Sequence, residues 1–216
     1  MNPRIESRKV DWSLYAILDK DFIKDRSIQY LAEEVIRGGA GIIQLRNKSS
    51  HINEFYQDGA AIKEVTAHFG VPLIVNDRLD IALAVDADGV HLGQDDLPHN
   101  VARHLIGENK ILGISVHNLD EFKRSIDAEP DYLGVGAIYP TNTKDEPQMG
   151  MEMVEELRAE TELPLVAIGG LTPENLAPVI RAGADGVAVI SALLNAEDVR
   201  SRAHEFVQSI NSARQV

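Results

Sequence analysis

The sequence predicts a single α/β domain folded as a parallel barrel of eight strands, the (β/α)8 or TIM barrel. Short apolar runs alternate with longer amphipathic segments along the 216 residues, and a repeat of strand then helix makes a parallel sheet. Eight units of roughly 27 residues each suit a strand, a helix and two loops. Polar residues follow seven of the eight apolar runs, which indicates one shared site where the strands end.

The eight apolar runs are the predicted strands. Each is short and bounded by polar residues, glycine or proline, as expected for strands. They cover Leu14–Leu18, Ile42–Leu45, Leu73–Val75, Val90–Leu92, Ile111–Ile114, Tyr132–Val135, Leu165–Ile168 and Val187–Ile190.

Amphipathic segments between these runs are the predicted helices, because their apolar residues recur at spacings of three and four. They cover Ile28–Ile36, Ile52–Phe69, Met153–Leu157, Leu176–Ile180 and Val199–Ile210. We expect their apolar faces to pack on the barrel. The alternative is a doubly wound open sheet, which usually needs only five or six strands.

A short repeat precedes four of the predicted strands. Its copies are Gly39-Ala40-Gly41, Ala87-Asp88-Gly89, Pro130-Asp131-Tyr132 and Ala184-Asp185-Gly186. We expect the glycines of this repeat to supply the positive φ of a helix C-cap.

Composition and charge exclude several classes of function. We expect one domain over residues 1–216, with residues 1–12 as an N-terminal extension. A net charge of −13 argues against binding nucleic acid or an acidic membrane, since both need a basic surface. The absence of cysteine rules out thiolate chemistry and fits a reducing compartment. No apolar run has the length of a signal peptide or membrane span, so a cytoplasmic location is predicted.

Three polar side chains alternate at the end of the second predicted strand: Gln44, Arg46 and Lys48. A period of two places them on one side, facing the mouth of the barrel. Two cations and an amide at this spacing suit a polyphosphate. The alternative is an exposed strand end with solvated charges. The grouping of basic residues in an acidic chain favours the polyphosphate.

Carboxylates follow the third and fourth predicted strands, in Asn76-Asp77 and Gln94-Asp95-Asp96. Mg²⁺ is usually held by one or two carboxylates together with substrate phosphates, so Asp77 and Asp96 are candidate ligands. The alternative is that both residues cap the following helices, because Asp is a preferred N-cap residue. The sequence leaves both interpretations open.

Three later strand ends carry groups that suit phosphate. Gly169-Gly170 and Ile190-Ser191 close the seventh and eighth predicted strands, where many barrels bind phosphate through loop amides and a helix N-terminus. Thr141-Asn142-Thr143-Lys144 follows the sixth and offers two hydroxyls and a cation to an anionic group. The alternative for the two glycines is a role in tight turns only.

Ser115, His91 and His117 complete the set of candidate residues. Both histidines are acid–base candidates by type, and a buried, hydrogen-bonded role is the favoured interpretation for His91. The chain has no glycine-rich nucleotide loop, and no Ser-His-Asp order stands out. We therefore expect chemistry that uses phosphate and Mg²⁺ rather than a protein nucleophile.

Seven of these motifs occur in one order that is typical of a known family. They are Gln44–Lys48, Val75–Arg78, Gly89–Asp96, Gly113–Ser115, Pro140–Lys144, Ile168–Gly170 and Gly186–Ser191. In these motifs the chain resembles the thiamine-phosphate synthase family, from about Leu14 to the helix after Ser191. The resemblance covers nearly the whole chain.

The resemblance implies a Mg²⁺-dependent transferase with small-molecule substrates. The reaction joins 4-amino-5-hydroxymethyl-2-methylpyrimidine diphosphate to 4-methyl-5-(2-hydroxyethyl)thiazole phosphate and releases pyrophosphate. The implied pyrimidine-diphosphate residues are Gln44, Arg46, Lys48, Asn76, Ser115 and Lys144, with Arg46, Lys48, Ser115 and Lys144 as the catalytic ones. The implied thiazole-phosphate residues are Thr141, Thr143, Gly170, Ile190 and Ser191. Asp77 and Asp96 would hold Mg²⁺, and a homo-oligomer is an open expectation.

The implied mechanism is dissociative, with a pyrimidine methylene cation that the thiazole nitrogen attacks. Such a cation must be kept from water, so a lid is expected, and the polar segment 144–150 is the best candidate.

Three other functions compete with this one. A thiazole tautomerase of the same fold would need a histidine acid such as His117 and no diphosphate clamp. A non-catalytic binding protein would lack Asp77, Asp96 or Lys144, which are all present. A sugar-phosphate aldolase would need a lysine within a strand for a Schiff base, and none of the eight runs contains one.

Overall fold

The predicted barrel is confirmed by the structure, a computed structural model that describes residues 10–48, 51–140 and 149–215. Eight parallel strands pair in chain order, and the eighth pairs with the first to close the barrel. They are β1 Leu14–Asp19, β2 Ile42–Arg46, β3 Leu73–Asn76, β4 Gly89–Leu92, β5 Ile111–Val116, β6 Tyr132–Val135, β7 Leu165–Ile168 and β8 Gly186–Val189.

Helices connect the strands, and the five predicted ones are confirmed with small shifts at their ends. In order they are α1 Lys20–Ile23, α2 Ile28–Arg37, α3 Ile52–Phe69, α4 Leu79–Ala84, α5 His99–Ile106, α6 Leu119–Ser125, α7 Glu152–Glu160, α8 Ala177–Arg181, α9 Ser191–Leu194 and α10 Val199–Arg214. A short 3-10 turn, Ile126–Ala128, follows α6. Within these described elements, no helix is long and apolar enough to cross a membrane.

Strand alternation decides which side chains enter the barrel. On β2, Gln44 and Arg46 line the interior, whereas Leu45 lies beside Gly59 of α3. Before β1, the Trp12 ring packs on that of Tyr132 with centroids 4.8 Å apart, so contacts with the barrel begin ahead of Leu14. Residues 1–9 of the predicted N-terminal extension lie outside the described part of the chain.

The prediction for the glycines of the four-copy repeat is only partly correct. Gly41, Gly89 and Gly186 are not among the residues with positive φ. They allow close approach of backbones instead: a Cβ on Gly186 would lie 1.7 Å from the carbonyl oxygen of Trp12, and one on Gly89 would lie 2.2 Å from that of Ile111. The left-handed backbone falls a few residues earlier, at Gly39, Asp86, Glu129 and Gly183.

The aspartates of the repeat brace the amino-terminal ends of the strands. In three copies the Asp Oδ2 accepts a backbone N–H near the start of the preceding strand, at 2.8 to 3.0 Å, and pairs with a basic side chain. The sets are Asp88 with Leu73 and Lys63, Asp131 with Leu112 and Arg103, and Asp185 with Leu165 and Arg158. This end of a barrel contributes stability rather than catalysis.

Asp131 is the most buried of these three aspartates, with 5% of its side chain exposed against 45% for Asp185. We expect Asp131→Ala to lower the free energy of unfolding by about 3–5 kcal/mol, because Arg103 keeps a poorly solvated charge without its carboxylate. Asp185→Ala should cost less, since water screens the exposed pair. Urea unfolding of both variants measures this. Equal losses would contradict the expected dependence of this stabilisation on burial.

Candidate active site

Two adjoining cavities open at the carboxyl ends of the strands. The first, here called the inner cavity, lies inside the barrel with a volume of about 40 Å³ and is lined mainly by β1 to β6. The second, the outer cavity, has a volume of about 1000 Å³ and is lined by residues after β7 and β8 together with α10. Ile168, Ala188 and Ile190 line both cavities. A molecule in one would therefore adjoin a molecule in the other.

The inner cavity brings together four residues that the sequence assigned to the pyrimidine diphosphate, from the three strands β2, β3 and β5. Gln44 and Arg46 are buried at 3% and 4% exposure, and Asn76 and Ser115 line the same space. The outer cavity is lined by the other group, Gly170, Ile190 and Ser191. The two groups thus line neighbouring spaces, and Ile190 borders both.

The glycine pair after β7 has a definite conformational reason. Gly169 and Gly170 have φ of 103° and 61°, a region that suits glycine. A Cβ on Gly170 would also lie 2.7 Å from the carbonyl oxygen of Pro140. The turn therefore requires glycine, and it also forms part of the outer cavity wall.

Other predicted site residues lie at the rim or beyond the described residues. Lys48 is exposed, two residues after β2 ends. Thr141, Thr143, Lys144 and most of the predicted lid 144–150 lie outside the described residues. Pro140 lines the outer cavity, and the Met149 N–H donates to the Ala137 carbonyl at 2.8 Å.

A buried ion pair fixes Arg46, and its partner Asp19 was missed by sequence reasoning. Asp19 is fully buried at the end of β1, and its Oδ2 accepts from Nη1 of Arg46. Its Oδ1 accepts the Asp21 N–H at 3.1 Å, which caps α1. The barrel register places Asp19 directly opposite Arg46. That register was the missing signal, because it depends on the pairing of β1 with β2.

Arg46 keeps one donor available after this pairing. Its Nε is buried and has no hydrogen-bond partner among the described residues. A buried donor without a partner is costly, and an anion in the inner cavity would relieve that cost. The guanidinium is thus held in advance by Asp19 in the cavity wall, which suits the binding of a phosphate.

The two candidate metal ligands do not cap helices, so that alternative interpretation is wrong. The helix after Asp77 has Arg78 as its N-cap, and the helix after Asp96 has Pro98. Asp77 is partly buried and has φ of 62°, and Oδ2 of Asp96 accepts the Gly93 N–H at 2.6 Å.

The donor chemistry of these carboxylates fits Mg²⁺, a hard cation that takes oxygen ligands. Within the described ranges, no group of three or more His, Asp or Glu side chains could hold a metal ion. Two carboxylates are nonetheless sufficient for Mg²⁺ when substrate phosphates and water complete the shell. Asp77 and Asp96 as metal ligands stay a prediction.

A hydrogen-bonded chain crosses the inner cavity. Gln44 Nε2 donates to the Tyr15 hydroxyl at 2.9 Å, and the hydroxyls of Tyr15 and Tyr132 are 2.7 Å apart. His91 Nδ1 lies 2.8 Å from the Tyr132 hydroxyl, and His91 Nε2 lies 2.9 Å from Ser115 Oγ. Burial raises the pKa of both tyrosines well above the usual range, so both remain neutral. The predicted hydrogen-bonded role of His91 is confirmed, whereas its side chain is only half-buried.

His117 also lines the inner cavity, but it is held by a different partner. Its Nδ1 and its backbone N–H both lie 2.8 Å from Glu121 Oε2. Gln94 Nε2 donates to the Ser115 carbonyl at 2.7 Å. The Gln94 contact links the segment after β4 to β5 at Ser115.

Comparison with known proteins places this site in context. A family model described as thiamine monophosphate synthase matches residues 14–193. The chain is 45% identical over 202 residues to a thiamine-phosphate synthase of Alkaliphilus oremlandii, covering 93% of this chain and 97% of that protein. It is 48% identical over 192 residues to one of Natronomonas pharaonis, covering 87% and 90%.

A solved structure gives the same result in three dimensions. Thiamine phosphate pyrophosphorylase from Pyrococcus furiosus is similar with a TM-score of 0.86 and 36% sequence identity. The match covers 95% of this chain and 98% of that one. The likeness therefore includes the whole barrel and the strand ends that form the two cavities.

Proposed function

The chain belongs to the thiamine monophosphate synthase family, and we propose that its two cavities hold the two substrates of that reaction. Membership of this family makes it an enzyme, a transferase. The proposed reaction joins 4-amino-5-hydroxymethyl-2-methylpyrimidine diphosphate to 4-methyl-5-(2-hydroxyethyl)thiazole phosphate and gives thiamine phosphate and pyrophosphate. The observation that carries this assignment is the pair of adjoining cavities with separate anion-binding groups.

The inner cavity is proposed to receive the pyrimidine diphosphate. Arg46 supports this assignment, because its guanidinium is buried, held by Asp19, and has an available Nε. The residues proposed to contact this substrate are Gln44, Arg46, Lys48, Asn76, Ser115 and Lys144. The volume of about 40 Å³ suits a part of the substrate, so the diphosphate would extend toward Lys48 and the rim.

The outer cavity is proposed to receive the thiazole phosphate. The turn at Gly169 and Gly170 and the start of α9 at Ser191 line it, which is where barrels commonly bind phosphate. The residues proposed to contact this substrate are Thr141, Thr143, Gly170, Ile190 and Ser191. Ile190 borders both cavities and would lie where the two substrates meet.

The proposed chemistry is a dissociative substitution. The C–O bond to the diphosphate breaks, both electrons leave with pyrophosphate, and the aminopyrimidine stabilises the methylene cation. The thiazole nitrogen then donates its lone pair to form the new C–N bond. Arg46, Lys48 and Lys144 would stabilise the negative charge that develops on the leaving group. Mg²⁺ held by Asp77 and Asp96 would neutralise part of the same charge.

The two substrates must also be held in line, and water must be excluded. Because the cavities adjoin, the thiazole nitrogen would attack the methylene carbon within one complex. Binding would then already have met much of the entropic cost of bringing the two substrates together. Closure by the segment 144–150 would keep water from the cation. A cytoplasmic location and a homo-oligomer stay predictions.

A thiochrome assay tests the proposed reaction. Purified protein, Mg²⁺ and both substrates are mixed, and thiamine phosphate is oxidised to its fluorescent thiochrome derivative. We expect fluorescence that requires both substrates. A folded protein that gives none would contradict the proposal.

The thiazole tautomerase is the competing activity, and one observation bears on it. His117 lines the inner cavity and is oriented by Glu121, as an acid–base histidine would be. The buried Arg46 and Gln44 beside it favour a diphosphate instead. We expect the His117→Ala variant to retain thiochrome formation. We expect no tautomerase activity in the unchanged protein or in this variant. Tautomerisation that is lost with His117 would reverse this choice.

A further inference from the structure

The hydrogen-bonded chain inside the barrel contains five side chains from five strands. In order they are Gln44 of β2, Tyr15 of β1, Tyr132 of β6, His91 of β4 and Ser115 of β5. All four links lie between 2.7 and 2.9 Å. Both tyrosines are about 1% exposed and Gln44 is 3% exposed, so water cannot replace a missing link at low cost.

Two glycines make room for this arrangement, which is therefore built into the strand sequences. A Cβ on Gly113 would lie 2.1 Å from Cζ of Tyr132. A Cβ on Gly134 would lie 3.0 Å from Cε1 of His91 and 3.7 Å from Ser115 Oγ. Side chains at these two positions would displace the tyrosine ring and crowd the imidazole.

Counting donors along the chain fixes its direction. The Gln44 amide nitrogen can only donate, so the Tyr15 hydroxyl accepts a hydrogen bond from it. The Tyr15 hydroxyl then donates its own hydrogen bond to the Tyr132 hydroxyl. Tyr132 then donates to Nδ1 of His91, which must be unprotonated. The remaining imidazole proton lies on Nε2 and is donated to Ser115 Oγ. Each tyrosine hydroxyl thus both accepts and donates a hydrogen bond, whereas the Ser115 hydroxyl only accepts within the chain.

A positively charged His91 does not fit this arrangement. An imidazolium donates from both nitrogens, so the Tyr132 hydroxyl would have to turn its proton toward Tyr15. The Tyr15 hydroxyl would then accept from both Gln44 and Tyr132, and its own proton would have no acceptor within the chain. Burial keeps both phenols neutral by raising the pKa of each, so neither can absorb the extra proton.

We propose that His91 is a positioning residue, held as the neutral tautomer with its proton on Nε2, which turns the hydroxyl proton of Ser115 toward the inner cavity. Because Oγ already accepts from His91, Ser115 is left to donate to an anion or ring nitrogen of the substrate. This role rests on the proposed function, in which Ser115 contacts the pyrimidine diphosphate.

The same arrangement excludes a proton relay along this chain. The chain ends at the amide of Gln44, which neither gains nor loses a proton near neutral pH. A proton that entered at Ser115 would have no exit through it. His91 therefore acts through Ser115 and is not a general acid or base.

Two substitutions of His91 separate its two hydrogen bonds. His91→Gln can place an amide nitrogen near the position of Nε2 and keep the donor to Ser115. His91→Asn can place an amide oxygen near Nδ1 and keep the acceptor for Tyr132, but it removes the donor to Ser115. We expect kcat to fall about as far in His91→Asn as in Ser115→Ala, and by about tenfold or less in His91→Gln.

The KM for the thiazole phosphate should stay unchanged in all three variants, because the outer cavity is not altered. In a double-mutant cycle, adding His91→Asn to Ser115→Ala should cost no further activity. Equal losses of kcat in His91→Gln and His91→Asn, or additive losses in the double variant, would overturn the positioning role.

A nitrogen NMR spectrum of the imidazole tests the tautomer without any substrate, so it is independent of the proposed reaction. We expect His91 to carry its single proton on Nε2 at about pH 7.5, because Nδ1 lies 2.8 Å from the Tyr132 hydroxyl and Nε2 lies 2.9 Å from Ser115 Oγ. Tyr132→Phe should abolish this preference because it removes the donor to Nδ1. A proton on Nδ1, or a doubly protonated ring at pH 7, would overturn the proposal even if the enzyme makes thiamine phosphate.

Discussion

Replacing Arg46 with alanine is expected to lower kcat about 100- to 1,000-fold, the usual cost of removing one preorganised charge contact at a developing anion. Arg46 is the buried cation of the inner cavity, and its Nε has no partner among the described residues. The loss should appear mainly in kcat, because the charge on the diphosphate grows as the C–O bond breaks. Steady-state kinetics with saturating thiazole phosphate measure it.

The control for Arg46 must account for Asp19, which the single variant leaves buried without its ion partner. Removing one member of a buried pair typically costs about 3–5 kcal/mol of stability. The double variant Asp19→Asn/Arg46→Gln removes both charges and should be more stable than Arg46→Ala, yet equally impaired in kcat. If the double variant is folded and retains turnover within tenfold of the original, Arg46 does not stabilise the leaving group.

The second large effect that we expect is a loss of product formation when Mg²⁺ is removed. Excess chelator should abolish product formation, and Asp77→Asn should raise the Mg²⁺ concentration needed for half-maximal activity by at least about tenfold. Asparagine is the suitable replacement because Asp77 has φ of 62°, a conformation that Asn tolerates well. The substitution therefore removes a charge and leaves the backbone in place.

The matched control for this experiment is Asp95→Asn, which removes an exposed carboxylate next to Asp96. It should leave the Mg²⁺ requirement unchanged, whereas Asp96→Asn should raise it as Asp77→Asn does. Undiminished activity in excess chelator would refute the metal site. A similar shift in all three variants would indicate only a general effect of negative charge at the mouth.

The strands could be predicted from sequence because a buried parallel sheet leaves continuous apolar runs. The five long or strongly amphipathic helices were predictable for a similar reason. Helices α4, α5 and α6, of six to eight residues, were not predicted. On α5, for example, Ala102 and Ile106 are buried whereas Val101 and Leu105 are exposed, so its apolar residues do not all face the barrel.

Site residues could be predicted where their position follows from the alternation of side chains along one strand. They could not be predicted where their role follows from pairing between strands. Gln44 and Arg46 could be assigned to the interior from the period of two alone. Asp19 could not, because its role follows from its register opposite Arg46. Tyr15 and Tyr132 were counted as apolar strand residues, yet their hydroxyls meet 2.7 Å apart inside the barrel.

The repeat before the strands, at the amino-terminal end of the barrel, also has roles that depend on neighbouring strands. Its glycines were assigned to helix caps, although Gly89 and Gly186 permit backbones to approach closely. Its aspartates were not assigned at all, although Asp131 joins the start of β5 to Arg103. Both roles need the neighbouring strand in place and leave no local signature.

The most direct test of two substrates meeting at one mouth is a quench-flow count of both products from the same sample. One pyrophosphate should appear for each thiamine phosphate, and neither should form when the thiazole phosphate is omitted or Mg²⁺ is removed. Pyrophosphate that forms without thiamine phosphate would mean that the pyrimidine diphosphate is hydrolysed or that water reacts with the methylene cation. Either result would contradict a site that joins the two substrates.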